Sequence, residues 1–289
     1  MSLNYTASQH GILNHSISID ANAKGACRVE TFDNKLICTY LSTENDTFNI
    51  RHIEKTPDSN WSQPRALLGF PQSVDTPGIT TFKDELHIIG GTAHGKLMVA
   101  TYNNLLGNFH ASSPLNKKIA QTPSFATLNG KLYMFFKTNE YDAIRYIETS
   151  NLLNWSDEKI VHHFGGQNAY SYSSPASITY QGLIHVFYKS MYGGFFLTKF
   201  DGLNAWTTPL EIIPEHFIHS PGITIHNGLL KLAFVDKENV ADGNIYQYCY
   251  DGNCMSLATI SSNIKANRSP GLGVLDGKLY ALHHQDTAL

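Results

Sequence analysis

Ten residues combine charge, hydroxyl and aromatic character in segments rich in turn formers: Arg28, Asp75, Lys137, Tyr141, Tyr170, Tyr172, Lys189, Tyr192, His219 and Arg268. Planar rings beside donors and acceptors suit sugars, whose C–H faces stack on rings while their hydroxyls take hydrogen bonds. Cleaving a glycosidic bond asks for more. It needs two facing carboxylates, about 5–5.5 Å apart for retention or about 6.5–9.5 Å for inversion. The pairs His162-His163 and His283-His284 are a weak metal signal, because neighbours on a strand point to opposite faces. No Gly-rich phosphate loop, Gly-x-Ser-x-Gly elbow or Cys-x-x-Cys pair is present, so no cofactor is expected.

The elements that must position these residues follow from a repeat. Thr76-Pro77-Gly78, Thr122-Pro123-Ser124, Ser174-Pro175-Ala176, Ser220-Pro221-Gly222 and Ser269-Pro270-Gly271 share one pattern. Each precedes an apolar stretch, a turn and a second apolar stretch, most clearly at Asn129-Gly130-Lys131-Leu132-Tyr133 and Asp276-Gly277-Lys278-Leu279-Tyr280. A weaker copy of the turn, Asp33-Asn34-Lys35-Leu36, places Cys27 at the proline position of a first repeat. Spacings of 50, 46, 52, 46 and 49 residues between these positions fall in the range of propeller blades. The chain ends early after Pro270, and residues 270–289 with residues 1–26 amount to one further repeat. The expectation is a single all-β domain over 1–289. It is a six-bladed β-propeller of four-stranded antiparallel blades, closed by a blade shared between about 266–289 and 1–24.

Within a repeat, Ile79–Phe82 and Ile223–His226 read as first strands. Leu132–Phe136 and Ile184–Tyr188 read as second strands, apolar on both faces because each sheet lies between two others. Ile144–Thr149, Phe195–Phe200 and Ile245–Tyr250 read as third strands. Trp61, Trp155 and Trp206 share one repeat position after the third strand and are expected to pack between blades. A meander of this kind puts the first-to-second and third-to-fourth turns on one face. The Ser/Thr-Pro lead-ins and the second-to-third loops lie on the other. The first set is short and uniform. The second varies, and it carries all ten residues named above, so ligand binding is expected there.

Catalytic groups in a propeller would project from the inner strands, which here read GITTF, SFATL, ASITY, GITIH and GLGVL without an acid. Only Glu30 in the first repeat and Asp75 at a lead-in qualify, unless loops 137–143 and 236–243 deliver Glu140, Asp142, Asp236 or Asp242. That scarcity weighs against hydrolysis.

Twenty-one Lys and Arg against 24 Asp and Glu are scattered, without the basic stripe that nucleic acid requires. No run approaches the roughly 18 apolar residues of a membrane span, and MSLNYTASQHGILNH lacks the features of a signal peptide. The expectation is a cytoplasmic protein or one exported by another route. If Asp251-Gly252 is a two-residue turn, Cys249 stands opposite Cys254, a spacing that allows a cross-strand disulfide and an oxidising setting. Cys27 and Cys38 are diagonal neighbours and read as buried thiols.

The Ser-Pro, Asn-Gly-Lys-Leu-Tyr and Asp-Gly-Trp punctuation resembles the repeats of bacterial and fungal propeller lectins over nearly the whole chain. That resemblance implies shallow sugar sites, one per blade or between blades, acting by multivalency. Thr56-Pro57-Asp58-Ser59-Asn60-Trp61 and Asp201-Gly202-Leu203-Asn204-Ala205-Trp206 are partial matches to the structural Asp-box of six-bladed sialidases. The sialidase resemblance implies a tyrosine nucleophile and an arginine cluster. Arg28 and Arg268 could meet near the closure point, and a third inner arginine is missing. A carbohydrate-binding module, with a carbohydrate or glycoconjugate as partner, is the leading reading. A glycoside-acting enzyme using loop carboxylates is the alternative. A protein-interaction scaffold, which would show a large apolar patch on the variable face, is the third.

Overall fold

The computed structural model describes residues 2–8, 17–20, 23–44, 47–67, 69–70, 75–92, 94–119, 121–137, 143–162, 168–171, 173–191, 193–203, 205–213, 217, 219–236, 243–268 and 270–285. These residues form six antiparallel sheets and no helix. Blade 1 runs outward through Ala23–Phe32, Lys35–Glu44, Thr47–Lys55 and Arg65–Ala66. Blades 2 to 5 repeat that order from inner strands Gly78–Phe82, Ser124–Leu128, Ala176–Tyr180 and Gly222–His226. The sixth blade takes Gly271–Leu275 and Lys278–Gln285 from the C-terminal end, then Ser2–Ser8 and Ile17–Asp20 from the N-terminal end. Ser2 lies opposite Gln285 and Ser8 opposite Leu279, so seven antiparallel pairs close the ring.

The first turn of each blade explains why the strands pair as they do. Leu128 pairs with Lys131 across Asn129 and Gly130, whose φ angles of 52° and 73° are left-handed. A two-residue turn of this hand matches the natural twist of the strands it joins. In blades 1 and 2 the same conformation is held by Asp33-Asn34 and Lys83-Asp84. The second strands that follow, such as Glu85–Gly91 and Lys131–Lys137, bury five consecutive residues each.

There is no single core. Six separate clusters fill the six gaps between neighbouring blades, from Leu3, Tyr40 and Leu282 at the closure to Phe195, Phe217 and Phe234 between blades 4 and 5. Each tryptophan packs against one of these clusters. Trp206 stacks on Phe200 with centroids 4.4 Å apart and meets Phe135 of the preceding blade edge-on. The gap between blades 5 and 6 is the thinnest, with Ala233, Ala266 and Ala281 among its six residues.

The Asp251-Gly252 turn departs from expectation. The Asp251 carboxylate accepts the N–H groups of Asn253 and Cys254, both at 2.8 Å, and this widens the turn to four residues. Tyr250 then pairs with Met255 and Cys249 with Ser256, so Cys249 and Cys254 are not opposite each other. Both are free thiols, as are the buried Cys27 and Cys38. Lys231 Nζ instead donates to Cys249 Sγ at 2.8 Å.

Candidate functional site

The six inner strands enclose a central channel containing a cavity of about 130 Å³, bordered by residues of every blade. Among the described residues, Arg28 and Glu30 of blade 1 are the only charged ones lining it. The repeat supplies an internal comparison. The residue after the proline position is Arg28, then Gly78, Ser124, Ala176, Gly222 and Gly271; two residues on it is Glu30, then Thr80, Ala126, Ile178, Thr224 and Gly273. Blade 1 alone breaks the run of uncharged side chains, and it does so twice, with an arginine and a glutamic acid. Residues two apart on a strand share a side, which sets both along one channel wall.

Burial pushes the Glu30 carboxyl up to about 7, despite the hydrogen bond it accepts from Thr81 Oγ1 at 3.2 Å. Charge on a carboxylate in a confined, poorly hydrated place is costly, so the proton is retained. Burial likewise lowers the Arg28 guanidinium, an effect opposed by the nearby charge of Asp75. Arg28 Nη1 makes one long contact, 3.5 Å, to the carbonyl of Cys27.

Around the loop-face mouth, the residue before each Ser/Thr-Pro reaches toward the next blade. Asp75 accepts the N–H of Thr122 at 2.9 Å, Gln121 Oε1 accepts the hydroxyl of Ser174 at 3.1 Å, and the hydroxyls of Ser173 and Ser220 lie 3.2 Å apart. The Thr76 hydroxyl donates to the Ala26 carbonyl at 2.7 Å, and that of Ser220 to the Ser174 carbonyl. The Ser/Thr of the motif is thus an inter-blade clasp. At the next two positions the clasp residues are His219 and Arg268, whose Nε2 and Nη1 are 3.5 Å apart.

The expected site residues fall into three groups. Arg28 and Asp75 stand near one another at the blade 1–2 side of the mouth, and His219 with Arg268 at the blade 5–6 side. Further out, Ser171 bridges to Ser190, which brings the Tyr170 segment beside Lys189. Lys189 Nζ lies 5.5 Å from the Phe195 ring centroid, and burial lowers its pKa against the pull of Glu211. Lys137 ends the second strand of blade 3, opposite Ile144, and the adjoining Ala143 bridges to Tyr170. Tyr141, Tyr172 and Tyr192 lie outside the described residues, as do Glu140, Asp142 and Asp242. Asp236 accepts a hydrogen bond from Tyr246 at 3.3 Å. His283 and His284 are fully buried. Among the described residues no three His, Cys, Asp or Glu side chains gather where an ion could sit.

Three of the exposed leucines belong to the opposite face. Leu105, Leu153 and Leu203 occupy one position in the third-to-fourth-strand turns of blades 2, 3 and 4. There Asn103, Asn151 and Asp201 accept their N–H groups at 2.9, 3.0 and 2.8 Å. Among the described residues, the large exposed apolar side chains on the loop face are Phe48 and Tyr170, in different blades.

No family model and no curated protein sequence matches the chain. Solved structures do resemble it. A GH43_1 enzyme from Xanthomonas citri, complexed with xylose, superposes with a TM-score of 0.54 at 12% identity, over 75% of this chain and 82% of that one. The Aleuria aurantia lectin, in complex with Fucalpha1-6GlcNAc, gives 0.54 at 11% identity over 86% and 85%. A Hadza microbial sialidase gives 0.55 at 11% identity over 72% of this chain, which spans only 49% of that protein. At such identities the likeness is one of fold.

Proposed function

We propose that this protein binds a carbohydrate at the loop-face mouth of its central channel. Arg28 and Glu30 are its polar anchors, and Asp75, His219 and Arg268 form the rim. The observation that carries the reading is the break in the repeat at blade 1, where an arginine and a glutamic acid line a cavity that, among the described residues, the five other blades line with uncharged side chains. The cavity, about 130 Å³, is too small to take a sugar chain, which places the proposed ligand at the mouth and not threaded through the channel. The fold is shared with a lectin and with glycoside-acting enzymes, which supports a sugar ligand by analogy. A glycan array of the purified protein tests the reading, repeated with Arg28→Ala, Tyr170→Ala and Lys189→Ala. Binding lost in Arg28→Ala supports the channel mouth. Binding lost only in the other two moves the site to the rim between blades 3 and 4. A blank array removes the reading.

A glycoside-acting enzyme is the second reading, favoured by one observation. Glu30 holds its proton near neutrality, the state a general acid needs. A partner carboxylate is the difficulty, since both oxygens of Asp75 accept backbone N–H groups. Turnover of chromogenic glycosides that vanishes in Glu30→Gln would favour this reading over simple binding.

A further inference from the structure

We infer that the ring opens most readily at the outer half of the seam between blades 5 and 6, where polar side chains replace the apolar ones that seal other blades together. This is independent of what the channel mouth binds.

Strand register fixes which residues face the seam. Ala233 and Ala281 belong to its small apolar cluster. Gln247 stands opposite Ala233, and His283 lies two residues beyond Ala281 with Asn4 opposite it. Cross-strand partners share a side, as do residues two apart on one strand. Gln247, His283 and Asn4 therefore all turn into the same gap, and all three are buried. Gln247 is only 1% exposed, yet among the described residues neither its amide oxygen nor its nitrogen has a hydrogen-bond partner. Further along the same side, Lys231 and Cys249 are matched to each other at 2.8 Å.

The repeat shows how unusual this is. The position of Gln247 is held by Val99, Tyr146 and Leu197 in blades 2, 3 and 4. That of His283 is held by Phe136, Tyr188 and Phe234 in blades 3, 4 and 5, all of them buried. Closing the seam between blades 5 and 6 thus hides little apolar surface and strands an amide away from water. Both lower the cost of opening, which exposes few apolar groups and returns water to Gln247.

The inner strands set where the movement occurs. Gly222 has no Cβ to collide with the Pro270 carbonyl oxygen, so blades 5 and 6 close tightly beside the channel. The seam is tight inside and weak outside, and it opens from the rim. The rival is the seam between blades 6 and 1, next to the blade in which both ends of the chain meet. That seam holds ten buried residues, Tyr40, Tyr280 and Leu282 among them, against six between blades 5 and 6. The Cys27 thiol also ties it by donating to the Leu282 carbonyl at 2.7 Å.

The test is labelling of the full chain with a small water-soluble maleimide, read by peptide mass spectrometry, each rate being divided by that of the same thiol in the unfolded chain. Ala281→Cys places a thiol in the seam between blades 5 and 6. Val186→Cys places one at the equivalent position between blades 3 and 4, and the native Cys27 and Cys38 report on the seam between blades 6 and 1. The Ala281→Cys thiol should react about tenfold or more faster than the other three, the effect of one stranded buried polar group. Adding Gln247→Leu should slow it severalfold. If Ala281→Cys folds poorly, Ala233→Cys probes the other wall of the same seam. An Ala281→Cys thiol that reacts no faster than that of Val186→Cys would overturn the inference. Faster reaction of Cys27 and Cys38 would overturn it in favour of the closure seam. A rate that Gln247→Leu leaves unchanged would show that the polar lining is not the cause, and the inference would fall with it.

Discussion

Asp75 in blade 2 and Thr122 in blade 3 are joined by a 2.9 Å hydrogen bond from the Thr122 N–H to the Asp75 carboxylate, across a blade boundary. The other carboxylate oxygen accepts the N–H of Thr76 at 2.8 Å. A single side chain thus satisfies the backbone at two successive lead-ins.

Replacing Asp75 by alanine would leave two N–H groups without their acceptor. An expected loss of about 2 kcal/mol follows from the typical cost of stranding partly buried donors. Urea unfolding of Asp75→Ala beside the parent measures it, and an unchanged midpoint would show that water or backbone movement replaces the clasp.

Gly222 is a site of close approach. A Cβ there would overlap the carbonyl oxygen of Pro270 in the next blade. Gly222→Ala must push the inner strands of blades 5 and 6 apart at the gap whose six buried residues include three alanines. A loss on the order of 3 kcal/mol or failure to fold is expected, as for overpacking in a core. Gly130→Ala is the control: its Cβ would meet nothing within 4 Å, although its φ of 73° favours glycine. The control should lose about 1 kcal/mol from backbone strain alone.

The pH dependence of stability should carry the mark of Glu30, whose carboxyl is raised from 4.5 to about 7 by burial. Below pH 4.5 both folded and unfolded chains hold this proton and Glu30 contributes no slope. Between pH 4.5 and 7 only the unfolded chain ionises, so stability falls as pH rises, and above 7 the loss is complete. Allowing for partial exposure, the total is on the order of 2 kcal/mol. Glu30→Gln should match the parent at pH 4 and exceed it at pH 8; equal stability at both would contradict the assignment.

His185 works in the opposite sense. Burial among Tyr180, Phe187 and Tyr250 lowers it from 6.5 to about 4, and it stays neutral in the fold. Its contribution is intact above pH 6.5 and is lost as pH falls toward 4, because the unfolded chain takes up the proton first. The loss should reach on the order of 3 kcal/mol by pH 4. His185→Phe should flatten this acid limb in thermal melts between pH 4 and 7, and a limb of unchanged steepness would assign it to other groups.

How far the chain could be read from its residues differs from element to element. Two-residue turns need left-handed backbone, which Asn-Gly and Asp-Gly mark locally, so strands on either side of Asn129-Gly130 and Asp276-Gly277 were legible within a residue or two. The same signal misled at Asp251-Gly252, because an Asp side chain that caps its own turn looks identical in sequence to one that does not. Arg28 and Glu30 were visible as candidates. Their distinctiveness emerges only when the six inner strands are compared position by position.

By itself the sequence determined the ring. Its repeat length, the turn residues and the split of one repeat between the two ends are all local or countable, and they suffice because every blade must present the same surfaces to its neighbours. The tertiary structure decided which polar groups meet across the mouth. Asp75 reaches Thr122, and Arg268 reaches His219. The two contacts join groups 47 and 49 residues apart in the chain. Hydrogen-bond geometry at tenths of an ångström, unlike periodicity, leaves no trace in the order of residues.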